Sequence, residues 1–310
     1  MNALRSGAAL AALLTSLLGA AAPACGGGNV VTDGGGRQVE VGDASRILSI
    51  GGDVTEIVYA LGAETRLVGV DATSQFPPRA LREKKNVGYM RALSSEGVIS
   101  VDATVVLASA GAGPPEVVKT LKATRVPYVE VPDEHSPAGI AGKVRLIAKA
   151  IGAEAEGERI VQQVAADFVS LEAARAKIRQ PVRALFVLGV QNGRATVGGQ
   201  GTSADAILKL AGAVNVAAAV NGFRPLPDEA VVELAPEVIV AMRRTSSSDA
   251  HGVEQLFTLK GIQSTPAGVG RRLILMDGLY LLGFGPRAAA AAKDLMASLY
   301  PDLAGANPTP

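Results

Sequence analysis

Residues 137–178, PAGIAGKVRLIAKAIGAEAEGERIVQQVAADFVSLEAARAKI, decide the fold. This stretch is rich in Ala, Glu, Lys, Arg and Gln, and its apolar residues recur at helical spacing. Few residues that break helices interrupt it, and Pro181 follows its end. The pattern predicts one long helix, or two helices joined near Gly152.

Short apolar runs alternate with helical patterns on the N-terminal side of this stretch. Strands are predicted at residues 46–50, 67–70, within 101–108 and at 126–131, with a helix over 54–61. Strands that alternate with helices indicate βαβ units and a parallel sheet whose two faces are covered by helices.

A second block of the same kind follows. Strands are predicted at residues 183–188, 237–241 and 272–276, and helices at 203–211 and 288–300. The predicted fold is therefore α/β, with two doubly wound lobes joined by a long connecting helix. The predicted divisions of the exported chain are a linker at 25–44, an N-terminal lobe at 45–135, a helical connector at 136–180, a C-terminal lobe at 181–303 and a disordered tail at 304–310.

Residues 1–24 have the layout of a secretory signal peptide. Arg5 precedes an apolar run that is short for a membrane span, and Ala22-Pro23-Ala24 provides a cleavage site with small residues. Cys25 and its following glycines suit lipid attachment, although the usual motif prefers Leu where Ala22 stands. The segment predicts an exported, periplasmic chain anchored through Cys25, with a freely secreted chain as the alternative.

Composition excludes several classes of function. The chain of 310 residues has 30 Lys and Arg against 29 Asp and Glu, and it has no Trp, so nucleic-acid binding is not expected. One Cys and two His cannot form an internal disulfide, a four-ligand structural zinc site or a three-His metal site. No catalytic constellation emerges from the remaining residues, so an enzyme is not expected.

Four local segments carry a resemblance to a known family. They are VGYMRALSSEG at 87–97, GTSADA at 201–206, GFRPL at 222–226, and MDG at 276–278 with LGFGPR at 282–287. Together they resemble class III, helical-backbone substrate-binding proteins of ABC importers, most nearly the haemin-binding branch. The resemblance covers the whole mature chain. It implies a ligand cleft between the lobes, haem as transported ligand without a catalytic cofactor, and a monomer that delivers to an ABC permease and its ATPase.

Glu96 and Glu229 match the carboxylates with which this family docks on its permease, one on each lobe. An exposed carboxylate can pair with a permease arginine in bidentate geometry. Both residues also lie where helices are predicted to start, so a helix-capping role is compatible with docking.

Phe76 departs from the family pattern. The haem-binding branch has a Thr-Ser-x-Tyr-Pro segment whose Tyr ligates iron, whereas residues 73–77 read Thr-Ser-Gln-Phe-Pro. A phenyl ring cannot ligate iron, although it can stack on a porphyrin or corrin face in the cleft. The candidates for a replacement iron ligand are Tyr89, Tyr280 and His135.

Five further residues are candidates for the cleft. Met90 and Arg91 adjoin Tyr89 in the family segment, and Arg91 or Arg224 could pair with a haem propionate. Gln191 and Asn192 follow a predicted strand at its carboxyl end, where α/β proteins bind ligands. Each of them is equally explained as an ordinary loop or surface residue.

Phe76 also keeps a second ligand class open. Cobalamin or another corrinoid, and ferric siderophores, need no iron ligand from the protein, so the missing Tyr favours them. The haem-like segments favour haem.

Overall fold

Two large sheets and a connecting pair of helices organise the chain. The computed structural model describes residues 28–243 and 255–304. The predicted signal peptide, Cys25 and the tail beyond Ala304 lie outside these residues. Within the described ranges, no helix combines the length and apolarity needed to span a bilayer.

The N-terminal lobe contains a five-stranded, all-parallel sheet in the order β5-β4-β3-β6-β7. Its central strands β3 and β6 are buried at every position, as expected for a sheet covered on both faces. The strands are β3 Ile47–Ile50, β4 Leu67–Val70, β5 Lys85–Asn86, β6 Val105–Ser109 and β7 Tyr128–Val131. The helices are α1 Gly52–Ala60, α2 Arg79–Glu83, α3 Ser95–Ile99 and α4 Pro115–Lys122.

A strand pair occupies the region where a linker was expected. Strands β1 (Asn29–Thr32) and β2 (Gln38–Val41) pair in antiparallel orientation. The Asp33 carboxylate accepts the backbone N–H groups of Gly35 and Arg37, which fixes the turn between the strands. Val31, Val39 and Val41 are buried, so the pair belongs to the core of the fold.

The connector consists of two helices, α5 (Pro137–Ile151) and α6 (Glu154–Arg175). They join at Gly152, whose φ of 69° is left-handed backbone that glycine adopts without strain. Of the two alternatives for this stretch, the structure has the two-helix form. Helix α5 packs against the N-terminal lobe, whereas α6 packs against the last helix of the C-terminal lobe.

The C-terminal lobe has a mixed sheet in the order β11-β9-β8-β12-β13, with β10 paired to β8. Its strands are β8 Arg183–Gln191, β9 Arg194–Gly198, β10 Val214–Asn215, β11 Phe223–Leu226, β12 Val238–Arg243 and β13 Leu273–Asp277. Its helices are α7 Ser203–Leu210, α8 Asp228–Leu234, α9 Lys260–Gln263, α10 Pro266–Val269, α11 Gly278–Leu282 and α12 Ala288–Leu299.

The antiparallel strands β9 and β11 were not expected from sequence. Strand β9 follows the tight turn at Asn192 and Gly193, whose φ angles are 51° and 73°, and β11 then pairs with β9 at the edge of the sheet. Asn-Gly is the residue pair that favours such a hairpin turn.

One apolar core runs beneath both lobes. It contains Ile57 of α1, Val144 of α5, Val164 of α6, Phe186 of β8 and Leu295 of α12, all buried. Smaller clusters cover the other faces of the two sheets. Because the connecting helices share this core with both lobes, rotation of one lobe against the other would have to disrupt packed side chains.

Candidate ligand-binding site

A cavity of about 780 Å³ lies between the two lobes. This volume is within the range of small-molecule sites. The carboxyl ends of strands face it from both sides, because Ser109 ends β6 and Arg243 ends β12. At the bottom of the cavity the lobes touch, since a Cβ atom on Gly52 would lie 2.7 Å from Leu279 Cδ1.

The two sides of the cavity differ in chemistry. The N-terminal wall, from the first lobe, is rich in polar side chains: Asp53, Thr73, Gln75, Arg91, Ser109, Asp133 and His135. The C-terminal wall, from the second lobe, is mostly apolar: Leu188, Phe223, Met242, Leu279 and Leu282. Such a cavity suits a ligand with a broad apolar face and polar or charged edges.

A chain of charged groups supports the N-terminal wall. Lys143 of α5 is fully buried, and its Nζ lies 2.7 Å from Asp53 Oδ2 and 4.0 Å from Asp133 Oδ1. A buried ammonium needs such carboxylate partners, because an unpaired charge in the interior is costly. Helix α5 of the connector therefore supports the N-terminal wall of the cavity through Lys143.

His135 continues this chain into the cavity. Its Nε2 lies 3.2 Å from Asp133 Oδ1, and its ring meets Phe284 edge-to-face with centroids 5.1 Å apart. The hydrogen bond with His135 holds the pKa of Asp133 below its usual value, although desolvation opposes it. His135 lines the cavity, and an imidazole nitrogen is a common metal ligand.

Tyr89, Met90 and Arg91 line the cavity where the sequence predicted them. The Tyr89 side chain is about half exposed, at 49%, so its hydroxyl is accessible to a ligand. Met90 Sδ lies 3.9 Å from the Thr73 hydroxyl, in the same wall. These three residues and His135 are the sequence candidates that the structure brings together.

Phe76 is not a lining residue. Its ring stacks under Arg287, with the guanidinium carbon 3.5 Å from the ring centroid. Arg287 Nη2 also donates to the buried Glu56 Oε2 at 2.7 Å. Because Glu56 and Phe76 belong to the N-terminal lobe and Arg287 to the C-terminal lobe, these three residues form a contact between the lobes, the interlobe clamp.

Tyr280 is not a lining residue of the cavity either. Its hydroxyl donates to Asp294 Oδ2 at 2.8 Å, on helix α12. Burial and this hydrogen bond raise the pKa of Tyr280 to about 12. The expectation that Tyr280 lines the cavity as an iron ligand is corrected, because its phenol is already engaged outside the lining.

Gln191, Asn192 and Arg224 lie outside the lining as well. Gln191 and Asn192 are exposed at the tip of the β8–β9 hairpin. Arg224 is exposed on β11, where successive side chains alternate between faces, and its neighbour Phe223 is the residue that faces the cavity. The hairpin and the alternation explain why these three candidates are displaced.

Glu96 and Glu229 are both exposed, each at the second position of its helix, α3 or α8. In α3 the N-cap is Ser94, whose Oγ accepts the Gly97 N–H at 3.0 Å. In α8 the N-cap position is Pro227, which makes no side-chain capping bond. Neither glutamate is the cap residue itself, and both are exposed to solvent.

Several lining residues were missed by sequence reasoning: Asp53, Gln75, Asp133, Phe223, Met242, Arg243, Leu279 and Leu282. Asp133 and Arg243 follow or end predicted strands, so the carboxyl-end rule applied to every strand would have found them. Phe223 lies on a strand that was not predicted, and the leucines of α11 give no local signal.

The chain resembles solved structures over most of its length. Residues 47–279 match a family described as periplasmic binding protein. The apo form of the periplasmic heme-binding protein RhuT from Roseiflexus sp. RS-1 has a TM-score of 0.79 at 35% identity, covering 84% of this chain and 100% of RhuT. The periplasmic heme-binding protein BhuT in complex with two hemes has a TM-score of 0.77 at 35% identity, covering 83% and 98%.

Curated relatives are more distant. YvrC of Bacillus subtilis (strain 168), an uncharacterized ABC transporter substrate-binding lipoprotein, is 27% identical over 263 residues, which cover 84% of this chain and 81% of YvrC. A vitamin B12-binding protein of Vibrio campbellii (strain ATCC BAA-1116) is 24% identical over 218 residues, which cover 69% of this chain and 76% of that protein.

Proposed function

The chain belongs to the periplasmic binding protein family, and we propose that it is the haem-binding component of an ABC importer that serves iron acquisition. The observation that carries this proposal is the cavity between the lobes, with one apolar and one polar wall. Haem has a broad apolar macrocycle and one edge that carries both propionate carboxylates, which suit the apolar wall and the polar wall respectively. RhuT and BhuT, whose structures this chain resembles at 35% identity, are heme-binding proteins.

The walls divide the recognition of haem. Phe223, Met242, Leu279 and Leu282 pack on the macrocycle through dispersion and burial of apolar area. Arg91 and Arg243, exposed on opposite lobes at the cavity, pair with the propionates by charge-assisted hydrogen bonds. No chemistry is done on the ligand.

His135 and Tyr89 are the candidates for the iron ligand. Both side chains are ones that hold haem iron in proteins. Among residues 28–243 and 255–304, no three His, Cys, Asp or Glu side chains are grouped to hold a bare metal ion. A lone imidazole or phenolate suits iron that arrives already chelated by a macrocycle.

Delivery requires export and docking. Residues 1–24 direct export, and acylation of Cys25 tethers the protein to a membrane facing the periplasm. Glu96 and Glu229 then dock the loaded monomer on the permease, which works with its ATPase. YvrC, a relative that spans 84% of this chain, is a substrate-binding lipoprotein of an ABC transporter.

The test is a haemin titration of the mature chain followed by visible absorbance. We expect saturable binding, with a ligand-type spectrum lost in either His135→Ala or Tyr89→Phe. Tyr280→Phe is the matched control, because the Tyr280 hydroxyl is bonded to Asp294 and should leave the spectrum unchanged. Absence of saturable binding would overturn haem as the ligand.

A corrinoid or ferric siderophore is the second candidate. Phe76 supplies no iron ligand, and the Vibrio campbellii relative is a vitamin B12-binding protein. Titration with cyanocobalamin and with a ferric siderophore distinguishes the two classes. Tighter binding of either one than of haemin would reassign the ligand and leave the importer role in place.

A further inference from the structure

A sequence pattern occurs once in each lobe. Residues 93–107 read LSSEGVISVDATVVL, and residues 226–240 read LPDEAVVELAPEVIV. The two segments align without a gap, and the alignment places Glu96 opposite Glu229. It also pairs Val98 with Val231, Ile99 with Val232 and Val101 with Leu234, and it pairs the aliphatic run 105–107 with the aliphatic run 238–240.

The two segments have the same structure. Each comes after an edge strand, β5 or β11, and each forms a short helix, α3 or α8. Each then passes through a residue with positive φ, Asp102 at 49° or Ala235 at 42°, at aligned positions. Each finally enters an interior strand of its sheet, β6 or β12. The lobes therefore present one surface element twice.

Within this element the second aliphatic residue is exposed in both copies. Val98 and Val231 are buried, with exposed fractions of 3% and 1%, and they anchor the helices to their lobes. The next residues, Ile99 and Val232, are 61% and 40% exposed. Each lies three positions after the exposed glutamate, which puts both side chains on the same side of the helix.

A single exposed aliphatic side chain on a protein surface needs no explanation. Here the exposure recurs at aligned positions of two lobes, beside a carboxylate in each. The repeated feature is an acid–aliphatic pair, Glu96 with Ile99 and Glu229 with Val232. A partner that fits it offers a cationic side chain next to an apolar hollow at two places.

We infer that the acid–aliphatic pairs are two-part docking contacts for the membrane permease, an inference that rests on the importer function proposed above. The carboxylates orient the protein on cationic groups of the permease. Ile99 and Val232 become buried against it and hold the complex together through the loss of water-exposed apolar area. The aliphatic residues slow dissociation, while the carboxylates govern encounter and the dependence on salt.

The test measures binding of the full mature chain to the permease–ATPase complex of the same organism in lipid nanodiscs. We expect Ile99→Ser and Val232→Ser each to weaken binding by about tenfold, chiefly through faster dissociation, with nearly additive effects in the double variant. The controls are Val169→Ser on α6 and Val269→Ser on α10, which are exposed at 72% and 80% and lie outside the repeated element. Both controls should bind like the parent chain.

Two measurements make the outcomes distinct. Haemin affinity, measured by visible absorbance for every variant, should be unchanged because Ile99 and Val232 lie outside the cavity. If the serine variants dock like the controls while Glu96→Ala with Glu229→Ala loses docking, the aliphatic contact is overturned and the importer function stands. If the parent chain binds haemin but not the permease complex, both the inference and the delivery role fail.

Discussion

The two walls of the cavity are built on different principles. The N-terminal wall is charged and is supported from behind by Lys143, a buried cation supplied by the connector. The C-terminal wall is mostly apolar and is supported by ordinary core packing of α11 and β12. A charged wall fixes the direction of a ligand's polar edges, whereas an apolar wall tolerates variation in the face that it covers. The difference teaches that the first lobe supplies most of the polar contacts that orient a ligand, with Arg243 added from the second lobe, and that the second lobe supplies most of the apolar contact area.

The largest expected effect comes from removing the support of the charged wall. Lys143→Met leaves Asp53 without its cation in a site that is almost fully buried. Breaking one member of a buried ion pair costs about 3–5 kcal/mol of unfolding free energy. Denaturant unfolding measures the loss. Lys149→Met, an exposed lysine of the same helix, is the control and should change stability little. Equal stability of the two variants would show that the charged wall does not depend on α5.

The next largest expected effect comes from breaking the interlobe clamp. Arg287→Met removes the cation from the interlobe clamp. Glu56, whose exposed fraction is only 5%, then loses its ion-pair partner. Because Arg287 itself is partly exposed, we expect a loss of about 2–3 kcal/mol, less than for a fully buried pair. Thermal or denaturant unfolding checks this value. Arg271→Met, a cation over Phe257 within one lobe, should cost less.

The apolar wall is tested through affinity. Phe223→Ala should weaken haemin binding by about tenfold at both low and high ionic strength, because it removes contact area and no charge. Arg91→Ala should weaken binding at low ionic strength and have less effect when salt screens its charge. The control is Arg224→Ala, because Arg224 is next to Phe223 in the chain but lies outside the cavity. A strong salt dependence of the Phe223→Ala effect would contradict the division between the walls.

The smallest effect is a dependence of stability on pH. The pKa of Asp133 is lowered in the folded protein, chiefly by its hydrogen bond with His135. The stability that Asp133 contributes is therefore fully present above its unfolded pKa, near 4, and is lost as the pH falls through its lower folded pKa. Asp133→Asn should be less stable than the parent chain at neutral pH, and the difference should disappear in acid. Glu116→Gln on α4 is the control and should show no such convergence.

Sequence reasoning predicted the parts of the fold that rest on long or repeated patterns. The helical connector and the buried strands of both lobes were expected close to where they occur, because periodicity over many residues identifies them. The β1–β2 pair was not expected, since its strands are too short for their alternation to stand out. The Asn192-Gly193 hairpin carried a recognisable signal that the parallel-sheet expectation overrode.

The site was predictable where a local segment carries the family resemblance or adjoins a predicted strand. Tyr89, Met90 and Arg91 belong to the segment at 87–97 that resembles the haemin-binding branch, His135 follows the predicted strand at 126–131, and all four line the cavity. Phe76 and Tyr280 were wrongly expected to line the cavity. The orientation of each side chain depends on a partner that lies in another element of the fold. The ring of Phe76 is held by Arg287, and the hydroxyl of Tyr280 is held by Asp294. No local pattern contains these contacts.

The single apolar core beneath both lobes has a consequence for sensor engineering. A pair of fluorophores placed one on each lobe would change separation little when ligand arrives, because packed helices hold the lobes at a fixed spacing. A useful optical reporter of this protein would instead sense whether a ligand occupies the cavity. A dye attached through Gln75→Cys, at a lining position of the cavity that is not a candidate iron ligand, would respond to quenching by an absorbing ligand without any movement of the backbone.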